Sequence, residues 1–595
     1  MSRKAVMRAK AAWLAAAAAA LAIPAIAQQT APSQQPAATA AQPANQLAPV
    51  NRRATGVARP GYFNAPGDEA LVQELEALNL PPPPPPVEYP SNARRDPWVV
   101  GSLDPVTHGL SANPFGNASG AFLSTLMRRM GTPLASRWAH IALRDALLAE
   151  VGAPRHVNPV DWVAERAWLL LRMGEADGAR MLIADVDTDR FTPKMVQVAV
   201  QAALATADPP SLCPLEDAIR KYEPTIRPLV QAMCSSLAGE PESAAAQIDD
   251  ARRHGRVGGI DLTLAEKVVG AGSNTGRAVT IEWDPVDRLN TWRFGLSTST
   301  GMVPPERLLK DAPPQLRAYQ ARAPLLTAQQ RLASAQVATG LGVFSSQSMV
   351  DLYSAIYDAT DPGDIPETDA WQLRQAFVGK EVGDRVAAIR RLIGTDRPSL
   401  EREAMRAVVA RAASLIAPDA ELEADAPELI SAMLAAGYDR QAARWAAATA
   451  RMDDQNSDRA WAMLALGAPD TRNLDLSYGR ITSFIGRDQS PGKIRSALLV
   501  AGLGGLGRIN DRSTSSLNQR YGLRLGMRSS WTNMIDNAGR MRQPGTALVL
   551  TGTGLQTGDW GKVPSAHLYH ALIALRRTGQ DFSARMIAAE ALSRT

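Results

Sequence analysis

Trp168-Leu-Leu-Leu-Arg-Met-Gly174-Glu-Ala-Asp-Gly-Ala179-Arg180 reads as the end of one helix, a short turn and the start of the next. An apolar run closed by Gly, with Ala five residues on, returns three times: Leu237-Ala-Gly239 to Ala244, Met433–Gly437 to Ala442, and Leu572–Gly579 to Ala584. Glycine can take the left-handed conformation that closes a helix. An alanine early in the next helix lets two backbones approach. Each copy predicts a helical hairpin that buries its apolar face only by stacking on neighbours. The expected fold is all-α, an irregular α-solenoid of helical hairpins.

Helix starts repeat as well. Asn158-Pro159-Val-Asp161 supplies an N-cap, a proline at the first helical position and an acid near the positive end of the helix dipole. The same pattern at Asp284-Pro285-Val-Asp287 and Asp361-Pro362-Gly-Asp364, and a looser one at Asp425-Ala-Pro427-Glu428, predicts helices beginning there. The glycine turns lie 65, 198 and 142 residues apart. A tetratricopeptide array keeps a period near 34, so the likeness to that class stops at helix-turn-helix geometry.

Composition agrees with closely packed helices. Aromatics are 5% of the 595 residues, while alanine is abundant. Arg3, Lys4, Arg8 and Lys10 precede Ala11–Ile23, an apolar run ending near Ala25-Ile26-Ala27. This is the pattern of a secretory signal cut after Ala27, and the run is too short for a membrane span. The net charge of +5 then falls to about +1. With acids and bases interspersed and no basic stripe, no nucleic-acid partner is expected. A periplasmic or secreted product follows, with no transmembrane segment in the mature chain. Cys213 and Cys234 are the only cysteines. Each lies about ten residues from a turn near Glu223-Pro224, so an antiparallel hairpin sets them level and predicts a disulfide.

Residues 28–117 are rich in Pro, Gln and Ala and read as a disordered linker, with a short helix over 68–80 and a polyproline rod at Pro81–Pro86. Helical regions are expected over 118–270, 271–470 and 471–595. Gly255–Gly276 marks the first break and the polar stretch from Thr471 the second.

Few motifs suggest chemistry. Gly502-Leu-Gly504-Gly505-Leu-Gly507 matches G-x-G-x-x-G, but position 522 is Gly where a dinucleotide site needs an acid, so a glycine-rich helix end is expected. Thr551–Lys562 lacks the spacing of a P-loop and reads as a surface loop. His567 and His570 lie three apart without an accompanying carboxylate pattern, and no metal or cofactor is expected. Asp161 and Glu165 beside Trp162 read as structural. Glu282, Asp284 and Asp287 are candidate catalytic carboxylates, and Trp283, Trp292 and Arg293 candidate binding residues, because acids flanked by tryptophans are what a glycan-cleaving cleft uses. No nucleophile motif accompanies them. The functional expectation is an exported binding or scaffolding module for a protein or cell-envelope polymer. The alternative is an envelope glycan hydrolase or lyase working through those carboxylates.

Overall fold

The helix Pro159–Met173 begins where Asn158 caps it, its side chain accepting from the N–H groups of Val160 and Asp161. It stops at Gly174, which has φ +95°. The computed structural model describes residues 90–255, 257–273 and 279–595. The signal-like run, the linker to residue 89, the expected helix 68–80 and Pro81–Pro86 lie outside the described residues.

All four predicted turns share one hydrogen-bond pattern. The N–H after the glycine reaches the carbonyl five residues back: Glu175 to Leu170, Glu240 to Ser235, Tyr438 to Met433, and Gln580 to Leu575, at 2.8–2.9 Å. This is the Schellman closure. The alanine of each copy (Ala179, Ala244, Ala442, Ala584) is fully buried. The same closure recurs at Gly301, Gly342, Gly507 and Gly522, and without glycine at Ala207 and Arg542, both at positive φ.

Those unmarked turns account for the uneven glycine spacing. Helices starting at Pro159, Pro193, Arg227 and Ile260 lie 34, 34 and 33 residues apart. The expectation that no 34-residue period is present is therefore corrected for this stretch. The period hides because Ala207 occupies the turn where Gly174 and Gly239 stand in the neighbouring hairpins. The disulfide Cys213–Cys234 ties the second hairpin to the first helix of the third, Arg227–Leu237, with Cα atoms 5.6 Å apart.

Two helix starts are corrected. After Asp284-Pro285 the chain makes a turn, and the helix begins at Thr291 with Asn290 as its cap. Arg307 donates to the carbonyls of Trp283 and Val286, the acceptors that a helix would have used. After Asp361-Pro362 the chain turns through Gly363, and the helix begins at Asp369 capped by Thr368. Asp425 does precede a helix, Ala426–Ala435, with Pro427 and Glu428 in its first turn.

The described residues, from Pro90 to Thr595, form one compact unit. The helices are joined by a single two-stranded pairing among the described residues, Val99–Val100 with Val151–Gly152. The linker expectation is corrected over 96–117: Val100, Leu110 and Phe115 are buried, and Phe115 meets Trp162 edge-on. The surface-loop expectation for Thr551–Lys562 is corrected over Thr551–Leu555 and at Trp560, while Gln556, Gly558, Asp559, Gly561 and Lys562 are exposed. Pro544–Gly554 is a helix buried from Pro544 to Gly552, and Trp560 is 1% exposed. It packs against Gly120–Arg129, Arg137–Leu148, Ser530–Arg540 and Ser565–Arg577. Glycines permit that crowding, since a Cβ at Gly545 would meet Phe115 at 2.9 Å and one at Gly552 would meet Leu143 at 3.0 Å.

The helix Arg137–Leu148 meets the last helix, Asp581–Ser593, directly. Arg137, buried, donates to the carbonyls of Thr339 and Ala435, while its N–H donates to Glu590 Oε1 at 2.8 Å. Ser136 and the Trp138 N–H donate to the other Glu590 oxygen. A carboxylate at a helix N-terminus is favoured by the free N–H groups and the helix dipole. Segments near residues 137, 339, 435 and 590 are thereby held at one point, whereas an open solenoid would join only sequence neighbours.

Candidate functional site

Within residues 159–298 the returning helix Thr291–Thr298 lies against Pro193–Ala205, so closely that a Cβ on Gly295 would meet the backbone of Leu204. Together with Pro159–Met173 and Ile260–Gly272 these helices wall a cleft of about 630 Å³, a size suited to a small molecule or a short stretch of polymer. A smaller cavity of about 220 Å³ shares Trp168, Gln201 and Asn290 with it and extends toward Tyr319.

Trp168 and Trp292 are half-buried and both line the cleft. Trp292 donates its indole N–H to the Asp261 carbonyl at 3.1 Å, which fixes the ring. Arg293 forks onto both Asp261 oxygens at 2.8 and 2.9 Å. Those hydrogen bonds hold the Arg293 guanidinium above its ordinary pKa. Val198, Leu204 and Ile226 give the cleft an apolar lining, and Gln197, Gln201 and Asn290 bring amides into it.

Three acids line the cleft. Glu165, 2% exposed, accepts from Arg128 and from Lys194 at 2.7 Å on the same oxygen. Asp261 is occupied by Arg293. Glu223 has no side-chain hydrogen bond or ion pair among the described residues.

The sequence candidates separate. Trp292 is in the cleft and Arg293 supports it from behind through Asp261. Glu282, Asp284 and Asp287 are exposed and do not line it, while Trp283 packs partly buried against the core. Asp161 accepts from the Thr192 hydroxyl at 2.6 Å, and Trp162 is core. Trp168 stands in the Trp168–Arg180 stretch, where the sequence marks it only as apolar. Its signal was Glu165 three residues earlier, on the same helix face. A polar stripe, Lys194, Gln197 and Gln201, marks one face of an otherwise apolar helix in the same way.

The other motifs resolve structurally. Ile494–Gly505 is a helix whose C-terminal end carries the glycine run. It presents carbonyls, and Arg576 donates to that of Gly505. A dinucleotide phosphate is held by the opposite end of a helix. His567 Nδ1 contacts the Gly554 carbonyl and its ring lies on Trp531, whereas His570 Nδ1 pairs with Asp536 at 2.7 Å. Among the described residues no cluster of His, Cys, Asp and Glu is arranged for a metal, and no helix is long and apolar enough to cross a membrane. No protein-family model, no curated protein and no solved structure matches the chain.

Proposed function

We propose that this is an exported binding protein, an array of helical hairpins whose cleft between Trp168 and Trp292 holds a segment of a protein or cell-envelope polymer. The observation that carries the reading is the cleft lining: two half-buried indoles, one fixed by a hydrogen bond, with side-chain amides in the same lining. Aromatic rings so placed offer large contact area at low entropic cost, and a few amides set orientation. The 34-residue spacing of the hairpins around it supports a repeat array, the kind of scaffold that presents concave binding surfaces. The signal-like N-terminal run and the Cys213–Cys234 disulfide support a periplasmic or secreted location.

The rival reading is an envelope glycan hydrolase or lyase. It needs a pair of available carboxylates facing one cleft. Two of the three cleft acids are taken by arginine or lysine, and Glu282, Asp284 and Asp287 lie outside. Binding without cleavage fits that arrangement better.

Cosedimentation with purified cell-wall sacculi, and cross-linking to soluble envelope proteins, test the proposal. Wild type is expected to be retained in one of these assays and the Trp168→Ala/Trp292→Ala variant lost from it. Equal behaviour of the two would contradict a role for the cleft. Release of soluble fragments from peptidoglycan by wild type, abolished in Glu223→Gln or Glu282→Gln, would replace binding with catalysis.

A further inference from the structure

The geometry points to a chain of N-acetylated amino sugars as the occupant of the Trp168–Trp292 cleft. This deepens the binding reading above and rests on it.

The rings carry the first part of the argument. The apolar face of a pyranose ring, lined by C–H groups, packs against an indole, which is rigid and has a polar N–H at its edge. The Trp292 N–H is already committed to the Asp261 carbonyl, so that ring offers a face rather than a donor. Trp168 has no side-chain hydrogen bond among the described residues and likewise lines the cleft. Two tryptophan faces serving one cleft suit a ligand with repeated flat apolar faces.

The polar groups carry the second part. Gln197 and Gln201, four residues apart on one helix face, make no side-chain hydrogen bond among the described residues. A primary amide both donates and accepts, which matches the N–H and C=O of an acetamido substituent. Asn290 spends its oxygen on the Arg293 N–H and keeps its amide N–H₂ for the cleft. Val198, Leu204 and Ile226 beside these amides give the acetyl methyl an apolar seat. A plain glucan would use the rings and leave both the amides and this apolar seat less well matched.

Charge supports a ligand with little net charge. Arg128 and Lys194 share Glu165, Arg293 covers Asp261, and Glu223 adds a third acid, so the cleft holds no cation in excess of its carboxylates. An anionic polymer would need such a cation. Glu223 remains as an acceptor for a sugar hydroxyl.

The test is calorimetric titration of the full exported chain with tetra-N-acetylchitotetraose, cellotetraose and a hexaproline peptide. Binding of the acetylated tetramer is expected at least five-fold tighter than cellotetraose. Trp168→Ala and Trp292→Ala are expected to weaken it ten-fold or more, and Gln197→Ala, an exposed position that the fold does not need, at least three-fold. Equal binding of both tetramers would overturn the acetamido assignment. Binding of the peptide alone would overturn the glycan while leaving the cleft as the binding site. Absence of all three, together with unaltered cosedimentation of the tryptophan variants, would remove the cleft reading itself.

Discussion

The hairpins of residues 159–272 and the helices of residues 494–593 close their turns with the same hydrogen bond, yet they are held together differently. In the first region successive helices pack on sequence neighbours, and a disulfide pins the second hairpin to the third. In the second, Pro544–Gly554 is surrounded by four helices, two of them from residues 120–148, and Glu590 binds the start of Arg137–Leu148. Stability in the hairpins is local. In the C-terminal region it depends on contacts spanning some 450 residues of sequence.

Removing the carboxylate at that long-range junction has the largest expected effect. Glu590→Ala leaves Arg594 with only the Ala135 carbonyl and no carboxylate, and takes the acceptor from Ser136 and two helix N–H groups in a dry site, at a cost of about 3–5 kcal/mol. The loss should appear as one cooperative transition covering both residues 120–148 and 544–593 in denaturant melts followed by hydrogen exchange. Cys213→Ser should cost about 3 kcal/mol by the chain-entropy argument. Its loosening should stay within the hairpins of residues 193–254 and spare 494–593. If both variants melt the whole chain alike, the contrast between the regions fails. Gly552→Val, whose Cβ would press on Leu143 and Met130, should cost about 2 kcal/mol.

Ala207→Gly sharpens the likeness of the turns. It removes a left-handed alanine and should stabilise by about 1 kcal/mol, measured as a rise in denaturation midpoint at constant slope. The smallest effect is on pH dependence. Burial pushes the Asp488 carboxyl up, but hydrogen bonds from Ser496 and Ser490 outweigh it and hold it below the usual aspartate value. A depressed folded-state pKa contributes stability above the unfolded value near 3.9, lost as pH falls through the lower folded value. Wild type should therefore lose its advantage over Asp488→Asn below about pH 4.

What the sequence revealed follows the same division. The four Gly-to-Ala turns, the Asn158 cap and the cysteine pair are local, and residues within ten positions specify them. The end of the buried helix Pro544–Gly554, from Thr551 on, reads as loop because its glycines and threonines are loop formers in isolation. They serve there as small residues under Phe115, Leu143 and Trp531, partners that sequence distance hides. Asp284 reads as a helix start, but Arg307, 23 residues on, claims the carbonyls that a helix needs. The cleft was half visible. Trp292 stands out in sequence beside its acids, whereas Trp168 and the Gln197–Gln201 stripe read as ordinary helix, because only the return of Thr291–Thr298 against them makes a cleft.

Hydrogen exchange with and without tetra-N-acetylchitotetraose tests the central claim most directly. The cleft account predicts added protection in residues 159–173, 193–205 and 291–298, lost in Trp168→Ala. Protection centred instead on residues 282–288, or on residues 494–593 with none around the cleft, would contradict it.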